Sequence, residues 1–258
     1  ALTPGNFERN RYSDTMPYDF NRIQLKQTPW ENKPMRFSDY INASWIKMEH
    51  QDWIATQAPI STTIEHFWRM IWEEDVGVIV NLTRNVEGVK VKGTPYWPDP
   101  SSTGQTSWDL GQGMRITLVA SRILFPDDPV QHLTIQMTRT WGEGKEEGEE
   151  KRTEILFYPG WKDGSAPSHP GTVLSMRDLV KELCRREGDR PQAPAVVHCS
   201  AGCGRTGAFI ALDLVLQELD TGLGGDHPQR DLVVEAIHYC RQRRIQMVQT
   251  KRQIGFLY

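Results

Sequence analysis

The strongest constraint on this chain lies in residues 196–207, where an apolar run meets the start of a helical pattern across a loop of small residues. Residues 195–197 form a short apolar run, which predicts a buried strand. An apolar segment of helical period begins at Thr206. A strand, a small-residue loop and a helix N-terminus gather successive backbone N–H groups around one point, and such an arrangement binds anions. The stretch therefore predicts an anion cradle.

Two reactive side chains belong to this cradle. Cys199 stands at its mouth and Arg205 closes it. Amide donors and a guanidinium favour the thiolate over the thiol, so Cys199 is expected to ionise readily. The same donors suit a phosphate dianion, since a guanidinium can hold two of its oxygens. A structural Cys beside a surface Arg is the simpler reading, but the flanking strand and helix argue against it. A Walker-type nucleotide loop is excluded because no Lys precedes Thr206.

Residues 198–207 spell His-Cys-five residues-Arg-Thr-Gly, which resembles the signature loop of the protein tyrosine phosphatases. The resemblance implies an α/β fold, a single domain with a central, highly twisted mixed β-sheet flanked by helices on both sides. It implies a phosphoric monoester hydrolase that removes phosphate from tyrosine in proteins through a phosphocysteine intermediate, with no metal and no cofactor. In this reading Cys199 is the nucleophile, Thr206 assists the sulfur and His198 supports the loop. The implied phosphate-binding residues are Ser200, Ala201, Gly202, Cys203, Gly204 and Arg205.

Three distant segments resemble further loops of the same family. In residues 10–14, the family pattern implies that the ring of Tyr12 walls the phosphotyrosine pocket and that Asp14 holds the substrate backbone; Ser13 stands where some relatives are basic. Glu87 and Lys92 stand where relatives brace the signature Arg and the loop of the general acid. In residues 249–253, Gln249 is implied to position the hydrolytic water and Gln253 to assist it. Read alone, each segment could be an ordinary polar loop.

The general acid of this family lies on a Trp-Pro-Asp loop, and the chain spells that motif literally in residues 97–99. This copy directly follows the Glu/Lys loop, where relatives carry a structural Tyr-Trp-Pro, so we interpret Asp99 as a turn residue. Residues 161–170 lie a few tens of residues before the nucleophile and carry the later prolines of the family pattern. The acid is therefore assigned to Asp163, with Trp161 as a supporting residue. Lys162 replaces the usual Pro and is expected to loosen the loop, because Lys does not fix φ.

Hydrophobic periodicity predicts the elements around these loops. Strands are expected over residues 39–46, 53–58, 76–82, 115–125, 131–141 and 154–158. Helices are expected over residues 61–74, 175–187, 206–219 and 231–243. Thr62 and Glu65 are predicted to form a capping box, and Ser175 to cap the second helix.

Composition excludes several classes of function. The chain has 258 residues and a net charge of −3, so its bulk charge favours neither nucleic acid nor an anionic membrane surface. No apolar run is long enough to span a bilayer. Its four cysteines lack the spacing of a disulfide framework, which indicates a reduced, cytoplasmic environment. We expect a monomeric catalytic domain over residues 1–258, cut short at both ends, that binds phosphotyrosine proteins.

Two alternative functions use the same motifs. A phosphatase-like module would hold phosphotyrosine proteins and turn them over feebly. A dual-specificity phosphatase shares Cys-x5-Arg, but the Tyr12 loop and the length of the domain argue against it, because a deep pocket disfavours phosphoserine.

Overall fold

A computed structural model describes residues 4–26, 39–111, 113–140, 148–186, 192–221 and 230–258. Its helices are α1 (Pro4–Phe7), α2 (Ile64–Glu73), α3 (Pro100–Thr103), α4 (Pro170–Leu183), α5 (Gly204–Asp220), α6 (Leu232–Arg243) and α7 (Lys251–Leu257). Its strands are β1 (Arg22–Gln24), β2 (Tyr40–Ile46), β3 (Trp53–Thr56), β4 (Val78–Asn81), β5 (Val86–Glu87), β6 (Lys90–Val91), β7 (Ser107–Asp109), β8 (Met114–Leu124), β9 (Val130–Arg139), β10 (Glu149–Phe157) and β11 (Ala195–His198).

Nine of these strands form one mixed sheet in the order β1-β2-β3-β11-β4-β10-β9-β8-β7. The centre is parallel, because β11 pairs with both β3 and β4, and β4 pairs with β10. Both flanks are antiparallel. Every residue of β11 is buried, which fits a central parallel strand covered on both faces. The cradle therefore starts from one of the fully buried strands in the middle of the sheet.

Alternate side chains of the central strands pack into two separate hydrophobic cores on opposite faces of the sheet. Val197 and Val80 face the core that α4, α5, α6 and α7 cover, where Phe209 packs. Val196 and Ile79 face the opposite core, which α2 covers. This alternation follows from the two-residue period of a strand. The predicted mixed sheet with helices on both sides is thus confirmed.

The predicted cap of the first expected helix and the predicted start of the second are wrong. Residues 61–63 form a 3₁₀ turn, and α2 begins at Ile64 without a Thr62–Glu65 capping box; the hydroxyl of Thr63 instead accepts the N–H of Ile60 at 3.1 Å. Helix α4 begins at Pro170, before the expected cap Ser175, because Pro fits the first helical position, where its missing N–H costs nothing. The predicted strand end at residue 141 lies outside the described residues.

Within the described parts of the chain, no helix combines the length and the apolar character that crossing a membrane requires.

Candidate active site

The loop between β11 and α5 closes tightly against the neighbouring strand β3. Gly202 has a φ of 71°, and a Cβ atom there would lie 2.0 Å from the carbonyl oxygen of Thr56. Gly207, in the first turn of α5, is equally confined, since a Cβ would lie 2.5 Å from the backbone nitrogen of Val248. Only glycine fits both positions, because a side chain at Gly202 would push the loop off β3 and one at Gly207 would push α5 off the segment at Val248.

The fully buried Arg244 holds the outer side of this loop. Its Nε donates to the carbonyl of Gly202 at 2.7 Å, and one of its terminal nitrogens donates to the carbonyl of Ala201 at 3.0 Å. The same nitrogen donates to Oδ1 of Asn42 at 2.7 Å. With these carbonyls bound on the outside, the loop keeps its N–H groups for the inside. Sequence reasoning missed Arg244, which stands in a basic run that is typical of a helix end.

Cys199 is buried at the bottom of the cradle, with 3% of its surface exposed, and not at the mouth where the sequence predicted it. Burial acts to raise the pKa of its thiol, but the charge of Arg205 and the polar groups around the sulfur, which are the Thr206 hydroxyl and the N–H groups of Thr206 and Cys203, outweigh it. The net effect lowers the pKa of Cys199, which favours the thiolate. Neighbouring Cys203 differs, because burial raises the pKa of its thiol to about 11.

The guanidinium of Arg205 is fully buried beside the cradle and joins three segments. One terminal nitrogen donates to Oε1 of Glu87 at 2.7 Å and to the carbonyls of Leu82 at 2.9 Å and Trp161 at 2.8 Å. The other donates to the hydroxyl of Thr83 at 3.2 Å. Its Nε is buried and has no partner among the described residues, so one donor remains for a ligand oxygen.

The carboxylate of Asp163 lies against this guanidinium. Its Oδ1 is 3.3 Å from a terminal nitrogen of Arg205, its Oδ2 is 2.6 Å from Nζ of Lys92, and its N–H donates to Oε2 of Glu87 at 3.2 Å. Burial acts to raise the pKa of Asp163, but the hydrogen bond from Lys92 and the charges of Arg205 and Lys92 lower it overall. Without a ligand, this carboxylate is therefore ionised.

Asp99 occupies a different setting. It is the N-cap of α3, and its Oδ1 accepts hydrogen bonds from the N–H of Ser101 at 3.0 Å and from the Ser101 hydroxyl at 2.7 Å. These bonds lower the pKa of Asp99. Its carboxylate thus holds a local turn, as expected for the literal Trp-Pro-Asp copy.

The ring of Tyr12 reaches the cradle through Ser200. The two hydroxyl oxygens are 2.8 Å apart, and the Ser200 hydroxyl lies 2.7 Å from the carbonyl of Lys92. A carbonyl only accepts, so Ser200 donates to Lys92 and Tyr12 donates to Ser200. Tyr12 is thereby fixed beside the loop. The side chain of Asp14 is exposed, and its carbonyl accepts a bond from Nε2 of Gln246 at 3.4 Å.

The two predicted glutamines cover the start of α5. A Cβ on Gly204 would lie 2.7 Å from Oε1 of Gln249 and 3.0 Å from Nε2 of Gln253. Oε1 of the buried Gln253 accepts the N–H of Gln249 at 2.9 Å, while its Nε2 has no partner among the described residues. Gln249 is exposed, and its Nε2 donates to Gln246 at 3.0 Å. Both amides therefore lie beside the loop.

His198 is fully buried behind the loop. Its Nδ1 lies 3.1 Å from the carbonyl of Cys199, so this nitrogen carries the proton, and Nε2 accepts from the hydroxyl of Tyr96 at 2.8 Å. Burial lowers the pKa of His198 to about 4, and the ring is neutral near pH 7. The sequence predicts a structural role for Tyr96 but does not indicate that His198 is its hydrogen-bond partner.

The order of these loops and their convergence agree with comparisons to known proteins. Residues 6–258 match the family model described as protein-tyrosine phosphatase. The chain belongs to this family.

Two curated relatives show how this protein-tyrosine phosphatase chain relates to longer proteins. It is 35% identical over 260 residues to receptor-type tyrosine-protein phosphatase V of Rattus norvegicus, matching 100% of this chain and 14% of the relative. It is 32% identical over 267 residues to tyrosine-protein phosphatase 1 of Schizosaccharomyces pombe, matching 100% of this chain and 44% of the relative. The chain thus spans less than half the length of either.

Solved structures give the same fold. The catalytic domain of human protein tyrosine phosphatase non-receptor type 18 aligns with a TM-score of 0.81 at 32% identity, covering 99% of this chain and 84% of that one. A second structure of that phosphatase, with HER2 phosphopeptides, aligns with a TM-score of 0.83, covering 99% of this chain and 81% of that one.

Proposed function

We propose that this domain hydrolyses phosphotyrosine in proteins through a phosphocysteine intermediate. The observation that carries the proposal is the lowered pKa of Cys199 at the bottom of a loop whose N–H groups and Arg205 surround the sulfur. A thiolate is the nucleophilic form of cysteine, and fixed donors around it stabilise the charge of a phosphoryl group under attack. Family membership supports the same reaction.

In the first step, the thiolate of Cys199 attacks phosphorus and the bond to the tyrosyl oxygen breaks. The loop N–H groups from Ser200 to Gly204 and the guanidinium of Arg205 hold the phosphate oxygens. Asp163 gives its proton to the departing oxygen, acting as a general acid. This role needs a protonated carboxyl, whereas Lys92 and Arg205 lower the pKa of Asp163 in the ligand-free site. A phosphate dianion on Arg205 offsets those cations and raises that pKa, so substrate binding itself favours the protonated acid.

In the second step, water attacks the phosphorus of the phosphocysteine. Asp163, now a carboxylate, takes a proton from that water, and the P–S bond breaks to release the thiolate of Cys199. The Thr206 hydroxyl stabilises the leaving sulfur; it already lowers the pKa of the thiol. The side-chain amide of Gln249, beside Gly204, positions the water, with Gln253 behind it.

The substrate class rests on pocket depth. Tyr12, fixed to Ser200, forms a wall of the pocket. A phosphotyrosine side chain is long enough to bring its phosphate to the sulfur at the bottom of this pocket, whereas a phosphoserine side chain is too short. The exposed Asp14 is suited to accept hydrogen bonds from the N–H groups of the peptide. A relative of the same fold, non-receptor type 18, is known in complex with HER2 phosphopeptides, which supports phosphotyrosine peptides as partners.

A direct test compares phosphotyrosine and phosphothreonine peptides of one sequence. We expect release of phosphate from the phosphotyrosine peptide and at most trace release from the other, with all release lost in Cys199→Ser. Cys240→Ser is the matched control, since this cysteine lies on α6 outside the loop and burial raises the pKa of its thiol to about 12. Equal rates on the two peptides would favour a dual-specificity enzyme, and binding without release would favour a phosphotyrosine-binding module.

The remaining assignments concern the oligomeric state and the compartment. We propose a monomeric catalytic domain over the matched chain that acts in the cytoplasm. The four cysteines are free, and a catalytic thiolate stays unoxidised only in a reducing environment. Sedimentation of the purified chain tests the monomer.

A further inference from the structure

Thr250 lies between the segment that carries the proposed acid and the segment that carries the proposed water-holding amide. Its hydroxyl oxygen accepts the N–H of Gln253 at 3.2 Å, which caps α7, and lies 3.0 Å from the carbonyl oxygen of Gly164. A carbonyl only accepts, so the hydroxyl proton of Thr250 points to Gly164. The residue before Thr250 is Gln249, and the residue before Gly164 is Asp163. One hydrogen bond therefore ties the two segments together.

The backbone of Gly164 makes this contact possible. Its φ is +69°, in the left-handed region where other residues are strained. A Cβ atom added there would meet only the methyl carbon of Thr250, at 3.7 Å, which is ordinary contact. A Cβ atom would therefore fit at residue 164, and it is the left-handed φ of this residue that favours glycine there.

Among the described residues, the other hydrogen bonds that tie residues 161–164 to distant segments involve charged groups. Trp161 bonds to Arg205 through its carbonyl at 2.8 Å, and the carboxylate of Asp163 bonds to Lys92 at 2.6 Å. Phosphate binding competes for Arg205, and the bond to Lys92 weakens when Asp163 gains a proton. The bond between Thr250 and Gly164 joins neutral groups and is independent of both events. It can hold the acid segment through the whole reaction.

We infer that Thr250 is a positioning residue that clamps the acid segment to the Gln249 segment and sets the distance from the Asp163 carboxylate to the attacking water. The inference rests on the proposed function. It concerns the second step, in which the water gives a proton to Asp163, its oxygen bonds to phosphorus, and the thiolate of Cys199 leaves. If the clamp opens, the base and the water-holding amide separate, and this step slows.

The test is pre-steady-state hydrolysis of p-nitrophenyl phosphate, whose nitrophenolate leaves with little help from an acid. In Thr250→Val we expect kcat to fall roughly three- to tenfold, as the loss of one hydrogen bond implies. KM should fall by the same factor and kcat/KM should stay constant, because kcat/KM reports only the first step. A burst of nitrophenolate should appear as phosphocysteine accumulates. Thr250→Ser keeps the hydroxyl and should restore wild-type values.

A second variant removes the clamp from its other end. Gly164→Ala strains the left-handed backbone but leaves the cap of α7 intact, so it separates the clamp from the capping role of Thr250. It should show the same burst and the same parallel fall of kcat and KM. Because both changes break one contact, the double variant should be no slower than the slower single variant.

Loop position can be measured without turnover. With 5-fluorotryptophan incorporated, the ¹⁹F resonance of Trp161, assigned with Trp161→Phe, should gain a second population in Thr250→Val and not in Thr250→Ser. An unchanged resonance, or a fall in kcat/KM without a burst, would overturn the clamp. If Thr250→Val shows the second population but the wild-type protein releases no phosphate, the clamp stands and only the proposed function is refuted.

Discussion

Nζ of Lys92 lies 2.6 Å from Oδ2 of Asp163 and joins the segment after the β5–β6 hairpin to the acid segment, 71 residues further along the chain. The side chain of Lys92 is largely enclosed, whereas Lys90 on the same hairpin is exposed. Glu87 strengthens the connection, since one of its oxygens accepts from Arg205 and the other from the N–H of Asp163. The protonation of Asp163 therefore depends on a hairpin that is remote in sequence.

The first prediction concerns Lys92→Met. The hydrogen bond and charge of Lys92 lower the pKa of Asp163, so their removal should raise it. The first step needs protonated Asp163, and its rate falls as pH rises through that pKa. The descending limb of kcat against pH with phenyl phosphate should therefore move to higher pH. Lys90→Met is the control and should leave the limb in place; a shift to lower pH would contradict the assignment.

The second prediction separates the two Trp-x-Asp segments. Asp163→Asn removes the proposed acid and should lower kcat on phenyl phosphate by about 10² to 10⁴ while substrate still binds. Asp99→Asn changes only the cap of α3 and should keep kcat within about twofold, because a capping change affects stability and not the reacting atoms. Steady-state kinetics of both variants provide the comparison. If Asp99→Asn proved the slower enzyme, the acid would be misassigned.

The third prediction tests how the thiolate is stabilised. Thr206→Ala removes a hydroxyl that lowers the pKa of Cys199, so that pKa should rise. The rate of alkylation by iodoacetate, followed by mass spectrometry against pH, should shift its midpoint to higher pH. Cys240→Ser should leave the profile unchanged, because that thiol lies outside the loop and burial raises its pKa to about 12. An unmoved midpoint in Thr206→Ala would show that Arg205 and the loop N–H groups alone keep the pKa of Cys199 low.

The fourth prediction concerns stability in acid. Burial lowers the pKa of His198 to about 4, whereas histidine in an unfolded chain has a pKa of about 6.5. The unfolded state thus binds more protons between these values, so the free energy of unfolding falls as pH drops through that window. At pH 5 this group alone costs about 2 kcal/mol relative to pH 7.

The measurement is urea unfolding at pH 7 and pH 5. In His198→Gln the fall between these pH values should be smaller than in the wild type by about 2 kcal/mol. A remaining fall is expected, because His66 is also buried with a pKa lowered to about 4. An identical fall in both proteins would mean that His198 is protonated in the folded state.

Part of the site could be predicted because it is local in sequence. Cys199, Arg205 and Thr206 belong to one strand, loop and helix start, so their spacing fixes how they meet. The distant loops at Tyr12, Glu87, Asp163 and Gln249 could be predicted only by family resemblance, and the structure places each beside the same cradle. Their proposed roles await the experiments above.

Other contacts had no signal in the pattern of residues. Arg244 stands in a basic run at a helix end, yet its guanidinium is buried and holds the carbonyls of Ala201 and Gly202. The start of α4 was missed for a local reason, since hydrophobic periodicity becomes visible only after the first turn that Pro170 opens.

The sequence by itself determined the nucleophile loop and, through motifs that resemble those of the family, the family and its mixed sheet, because strand period and motif spacing are properties of short segments. Only the tertiary structure decided how the carboxylate of Asp163 is charged, which side chain holds the loop from outside, and how Thr250 meets Gly164. These depend on distances between segments separated by tens to hundreds of residues. Such distances are set by the packing of the whole sheet and its helices, and no single segment encodes them.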